Sequence, residues 1–257
     1  MKTLTFIGYG NMALAIAKGL VGKYRLEIVG RNEEKLKKVQ QSLQQFLSED
    51  VKYFLLNSFD ISDKDIVLAV KPNNLEEVGE KLNGKANVIY SVLAGIPIEK
   101  IKTHIKSDAV VRAMPNLAAS LQASMTTLTG DEAYKNEAVE IFGAIGETLW
   151  LGSEKELDIA TALAGSGPAY LALIAEALSD GAVKQGLKRT DAAKITEGLF
   201  GGFAKLLKTT HPALLKDGVM SPGGTTAAGY AALEEAGVRN GCIQAIEAAY
   251  KRAKELG

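Results

Sequence analysis

Cysteine is almost missing from this chain: Cys242 is the only one among 257 residues. An internal disulfide and a multi-cysteine metal site are thereby excluded, and a reducing compartment fits. A lone cysteine in a helical stretch is expected to be a small core residue rather than a nucleophile. Histidine is nearly as scarce. His104 and His211 stand outside every motif described below and are expected on loops or the surface, and no metal is expected. Net charge is also lacking, since thirty basic residues balance thirty acidic ones. No global field then favours nucleic acid or an anionic membrane. The N-terminal apolar run stops at glycines without a cleavage-type sequence, so no signal peptide is expected and a cytoplasmic location is the default. The uncharged run Ile159–Ala175, nearly long enough to span a bilayer, is interrupted by Gly165-Ser166-Gly167-Pro168. It is expected to form a turn and then a buried helix, not a membrane span.

What is present is ordinary globular material, 47% hydrophobic and 23% charged, long enough for one large or two medium domains. Strand and helix signals alternate through the first half. Strands are expected at Leu4–Gly8, Leu26–Gly30, Asp65–Val70, Asn87–Leu93, Val110–Ala113 and Thr148–Leu151. Helices are expected at Met12–Val21 and from Glu33 to about Leu47. This alternation predicts an α/β Rossmann-type domain, a mostly parallel sheet with helices on both faces. After Gly152 the strand signals stop. Helices are expected at Glu154–Ala164, Pro168–Gln185, Thr190–Thr209 (with Thr190 favoured over Asp191 as its cap) and Thr225–Leu256. The expected division is residues 1–152 as a dinucleotide-binding domain and 153–257 as an all-α domain. Gly198, Gly201 and Gly202 leave room for another helix backbone, either within the chain or, as favoured here, in a second subunit.

Gly8-Tyr9-Gly10-Asn11-Met12-Ala13 fits the pattern G-x-G-x-x-A between a strand and a helix. Gly8 permits the tight turn, Gly10 lets the backbone approach a pyrophosphate, and Ala13 lets the helix pack closely on the strand. The helix N-terminus then directs N–H groups at the phosphates. The second strand ends in Val29-Gly30-Arg31-Asn32 without the carboxylate that binds an NAD ribose. Arg31 is suited instead to a 2′-phosphate, so NADPH is expected to be preferred, with NADH possible. Ala69-Val70-Lys71-Pro72 ends a later strand. Lys71 there is equally readable as a ribose or diphosphate contact and as a solvated charge. Ser221-Pro222-Gly223-Gly224-Thr225-Thr226 opens a long helix with hydroxyls and exposed N–H groups, a composition suited to a carboxylate. Taken alone, ordinary helix capping by Ser or Thr explains that segment better.

Several segments together resemble the pyrroline-5-carboxylate reductase family. They are Phe6–Ile16, Ala69–Pro72, Ser91–Ile96 (SVLAGI), Val111–Asn116 (VRAMPN), Ala164–Tyr170 (AGSGPAY), Asp180–Gly186 (DGAVKQG) and Leu215–Glu234, which contains the Ser221–Thr226 stretch. The resemblance implies hydride transfer from NAD(P)H to the C=N bond of 1-pyrroline-5-carboxylate, giving L-proline in the final step of proline biosynthesis. It implies Thr226 near the ring nitrogen as the catalytic residue, and substrate binding by Ser221, Gly223, Gly224, Thr225 and Thr226. It implies cofactor contacts from Gly8, Tyr9, Gly10, Asn11, Met12, Arg31, Asn32, Asn57, Ala69, Val70, Lys71 and Ala94. A homodimer with interleaved helical domains, in some cases a decamer, completes the expectation. The chain departs from the family where Leu117-Ala118 follows Asn116, where Gly218 replaces a polar residue, and where Tyr9 replaces a smaller one.

Two other classes share parts of this pattern. A β-hydroxyacid dehydrogenase-like enzyme carries a lysine shortly after the Gly-x-Gly turn that opens its helical domain, to manage the alcohol proton. Leu171 stands at that position here. A non-catalytic NAD(P)-binding protein keeps Gly8 and Gly10 but has no use for the Ser221–Thr226 segment.

Overall fold

The computed structural model describes residues 1–44 and 51–256. Among the described residues ten strands precede the helical half: β1 Thr3–Ile7, β2 Arg25–Gly30, β3 Val51–Leu55, β4 Phe59–Asp60, β5 Asp65–Leu68, β6 Leu82–Asn83, β7 Ala86–Ser91, β8 Ser107–Met114, β9 Ser124–Gly130 and β10 Gly146–Trp150. The helices among them are α1 Asn11–Leu20, α2 Glu33–Gln44, α3 Leu75–Gly79, α4 Ile98–His104 and α5 Lys135–Gly143. Eight strands form one sheet in the order β10-β9-β8-β7-β5-β1-β2-β3, and β4 pairs with β6 apart from it. Every neighbouring pair is parallel except β8 with β9.

Contacts divide the chain into Met1–Ser166 with Ala248–Gly257, and Gly167–Glu247. The first unit owes its shape to strands that are apolar on both faces. Phe6, Val67, Val88 and Tyr90 point into one core, with Ile16 and Leu20 of α1. Ile7, Ile66, Leu68 and Ile89 point into the other, with Leu75, Val78 and Ile101. Burial on both faces is what parallel sheets require, and it explains why these strands read as continuous apolar runs. The carboxylate side of α6, Glu154–Ala160, belongs to this unit. Arg112 of β8, only 1% exposed, donates to Glu154 at 2.9 Å and to Asp158 at 2.8 Å.

Several expectations need correction. The strands β3 and β9 and the helices α3, α4 and α5 had not been expected. β9 is rich in Ser and Thr, and its Thr126, Thr127 and Thr129 are all buried. Their branched β-carbons suit a sheet, and the Thr129 hydroxyl donates to the Leu151 carbonyl. The end of the expected helix near Leu47 lies outside the described residues. The turn expected at Gly165–Pro168 is reduced to Ser166, whose backbone stays helical. The helix widens into a π segment at Thr161–Gly165 and runs on as α7, Gly167–Lys184. Nor is this helix buried: in α7 only Ser179 is, and Leu171 and Leu173 are exposed. The stretch Glu154–Lys184 is in fact long and apolar enough to cross a membrane by length and composition.

In the second unit, α8 spans Arg189–Leu206 and α9 spans Pro212–Val219. Lys188, not Thr190, is the N-cap of α8. Its extended backbone sets the helix start, and Thr190 already lies inside the first turn. The single helix expected from Thr225 is two, α10 Thr225–Glu235 and α11 Val238–Leu256. Gly237 breaks it with φ +74°, a left-handed conformation glycine adopts without strain. Cys242 is exposed and free rather than in a core. His211 is the N-cap of α9, accepting from the Ala213 amide, and His104 ends α4.

Candidate active site

The register gathers the expected cofactor residues along one edge of the sheet. Ile7 pairs with Val29 and with Leu68, Gly30 with Leu55, and Leu68 with Ser91. The loops after β1, β2, β3, β5 and β7 therefore leave from the same edge, carrying Gly8–Met12, Arg31 and Asn32, Asn57, Ala69–Lys71 and Ala94. From β1 the chain proceeds to β2 and β3 on one side and returns to β5 on the other. This is the crevice where open α/β sheets take a dinucleotide.

Gly8 has φ +113°, and an added Cβ would lie 2.5 Å from the Ala69 carbonyl oxygen. Only glycine lets β1 turn here so close to β5. Gly10 differs: a Cβ there meets nothing, so its bare backbone faces space large enough for a ligand to approach. Gly10 is the N-cap of α1, with no side-chain capping bond and no acidic residue in the first turn. The positive end of the helix is thus left for an anion. Tyr9 folds back over β2, its ring 2.0 Å from where a Gly30 Cβ would stand. Gly30 is therefore glycine because Tyr9 covers it.

Arg31 is exposed and its guanidinium meets the Glu77 carboxylate of α3 at 3.0 Å. Glu77 also takes Lys81 at 2.6 Å. Lys81 first, and then Arg31, hold the Glu77 carboxyl below the ordinary carboxylate range. No sequence pattern revealed Glu77, because its partner is 46 positions away. Asn32 has a local duty, its side chain accepting from the Lys35 amide to open α2. Lys71 is exposed and its carbonyl accepts from the Asn74 amide. Asn57 and Ala94 are exposed.

In the second unit, Ser221–Thr226 forms a tight approach to α10. Gly223 has φ +68°, and the Gly224 amide donates to the Ser221 carbonyl at 3.0 Å. The cap is Gly224 and makes no side-chain hydrogen bond. Capping by Ser or Thr therefore does not account for this segment. Ser221, Thr225 and Thr226 are exposed around a helix N-terminus with no acidic residue in its first turn.

A mostly parallel sheet with a glycine turn at its central strand is the frame of a dinucleotide-binding domain. The profile for NADP oxidoreductase, coenzyme F420-dependent, matches residues 3–95. The profile for pyrroline-5-carboxylate reductase dimerisation matches residues 154–256. The chain belongs to the pyrroline-5-carboxylate reductase family. It is 33% identical to the Helicobacter pylori (strain J99) pyrroline-5-carboxylate reductase over 99% of this chain and 100% of that one. It is 43% identical to the Synechocystis enzyme over 75% of this chain and 74% of that one. The Streptococcus pyogenes crystal structure superposes with a TM-score of 0.86 at 32% identity, covering 98% of both chains. The Plasmodium falciparum pyrroline carboxylate reductase, solved with NADP bound, superposes with a TM-score of 0.79 at 27% identity, covering 100% of this chain and 98% of that one.

Proposed function

We propose that the chain reduces the C=N bond of 1-pyrroline-5-carboxylate to give L-proline, with NADPH as preferred reductant. One observation carries this reading beyond family membership. Two helices, α1 and α10, open on uncapped glycines, Gly10 and Gly224. Each suits one of the two anions the reaction brings, a pyrophosphate and a ring carboxylate.

The residues fit the cofactor because Gly10 leaves open the space a side chain would fill. The Gly8–Met12 turn would hold the pyrophosphate, Arg31, Asn32 and Asn57 the ribose end with its 2′-phosphate, and Ala69–Lys71 and Ala94 the nicotinamide end. When bound, the cofactor supplies a hydride. The Gly223 amide and the Ser221 and Thr225 hydroxyls hold the substrate carboxylate, and Gly224, whose amide is taken by the Ser221 carbonyl, shapes the turn rather than donating as the sequence suggested. The Thr226 hydroxyl lies at the ring nitrogen and orients it. A protonated iminium accepts hydride on carbon and already carries the nitrogen's proton, so the protein's task is orientation rather than strong acid catalysis. Leu171, apolar and exposed, offers no acid or base for the alcohol chemistry of a hydroxyacid dehydrogenase.

The functional division is taken near Gly152, with the helical part working as a homodimer that can assemble further into a decamer. The glycines of α8 support the dimer. A Cβ at Gly198, Gly201 or Gly202 meets nothing within 4 Å, so these glycines do not serve packing within the chain. Leu199 and Phe203 beside them are exposed. We read the apolar α7 in the same way, as a face for a second copy in a cytoplasmic enzyme rather than as a membrane span.

Initial rates with 1-pyrroline-5-carboxylate and either NADPH or NADH test the reading, with Arg31→Glu measured beside the parent. NADPH should be favoured, and Arg31→Glu should raise its KM about 30-fold while moving that of NADH about threefold or less. Turnover of a hydroxyacid instead of the imine would overturn the reaction, and equal losses with both cofactors would overturn the role of Arg31.

A further inference from the structure

The geometry points to Asn116 as a positioning residue: its side-chain amide clamps the loop after β8 to the π segment that leads into α7. The cause lies in the sequence. Proline inside a helix has no N–H for the carbonyl four residues earlier, and its ring collides with that carbonyl in an ideal α turn. Pro168 stands four residues after Ala164. The helix answers by widening, with the Ser166 amide reaching back to the Thr161 carbonyl at 3.1 Å. The Asn116 Nδ2 then donates to the Ala164 carbonyl at 3.1 Å, supplying a donor that Pro168 cannot. Single widened turns of this kind are frequent at functional sites.

Asn116 is held to this task from both sides. Its backbone amide donates to the Ser124 hydroxyl at 3.0 Å, and its Oδ1 accepts from the Ala118 amide at 3.0 Å, capping the 3-10 turn Leu117–Leu121. The two amide atoms therefore have divided duties, the oxygen shaping the loop and the nitrogen binding it to the helix. Behind them the buried Arg112 fixes α6 to β8 through Glu154 and Asp158, and Glu154 also accepts from the Ile98 amide at the start of α4. Because Ser91 pairs with Arg112, the loop after β8 leaves from the same sheet edge as the proposed cofactor residues. It lies beyond β5 and β7, on the side away from β2 and Arg31. The clamp therefore governs alignment at the nicotinamide end, not affinity at the phosphate end.

Asn116→Asp separates the two duties. It keeps the oxygen that caps Ala118 and places a second oxygen against the Ala164 carbonyl. The expected result is kcat lowered at least about tenfold, with the NADPH KM within about twofold of the parent. Unchanged kcat, or a KM that rises in step with the loss, would overturn the proposal. Its kinetic arm rests on the imine-reductase reading, so a second arm avoids substrate altogether. Amide hydrogen exchange across residues 161–167 is compared in the parent, Asn116→Ala, Pro168→Ala and the double variant. Loss of the cap is common to both backgrounds, so the cycle isolates the clamp. Asn116→Ala should accelerate exchange in the parent background and do so markedly less once Pro168→Ala restores a backbone donor. Equal acceleration in both would refute the clamp even if Asn116→Asp fails to fold. An inactive parent enzyme with a positive cycle would indict the substrate assignment alone.

Discussion

Arg31 has to choose between two anions. In the protein alone it rests on Glu77, and a 2′-phosphate would have to draw it away. Exchange is easy, because the pair is about half exposed on both sides and Glu77 keeps Lys81 when Arg31 leaves. Exposed pairs of this kind contribute little. Glu77→Gln should accordingly lower the NADPH KM modestly, by about twofold, and leave that of NADH unmoved. A rise in the NADPH KM would show instead that Glu77 holds Arg31 in its working position. Arg31 itself was legible in the sequence as the residue after β2. Glu77 was not, because a partner on a distant short helix leaves no local pattern. Thr226 was legible only through family resemblance. The structure adds that it sits exposed in the first turn of a helix capped by glycine, where its hydroxyl is not needed as the cap.

Elements that read clearly in the sequence were those whose burial has a simple period. Strands β1, β5 and β7 are apolar on both faces and stood out as runs. β3 did not, being a partly exposed strand at the end of the sheet with a charged Lys52 as its second residue. β9 was hidden by its hydroxyl residues, and the break between α10 and α11 by the helical composition on both sides of Gly237. The approach to α10 makes a prediction at this scale. A Cβ on Gly224 would stand 2.4 Å from the Ser221 Oγ, forcing that side chain or the helix start to shift. Gly224→Ala should therefore raise the KM for 1-pyrroline-5-carboxylate by about tenfold, near 1.4 kcal/mol, while the NADPH KM holds. A parallel rise in both would mean that the damage is global rather than local to the carboxylate cradle.

At the scale of the whole molecule, the two halves differ in how they are finished. The sheet closes its own cores on both faces. The helical half leaves Leu171, Leu173, Ile195, Leu199, Phe203 and Leu206 exposed, more apolar surface than a finished monomer scatters singly. The sequence already hinted at this through the glycines of α8, but it also suggested a buried α7. Helical periodicity cannot say whether the burying partner is the same chain or another. Leu199→Glu should convert the proposed dimer to monomer in sedimentation, and with it abolish turnover. An unchanged sedimenting mass would place the interface elsewhere. The claim on which the account turns is that hydride passes from a reduced nicotinamide to the carbon of a cyclic imine. Turnover with NADPH deuterated at both C4 positions, followed by mass analysis of the product, tests it most directly. The account predicts proline carrying one deuterium on the former imine carbon. Unlabelled proline, or cofactor oxidation without proline, would contradict it.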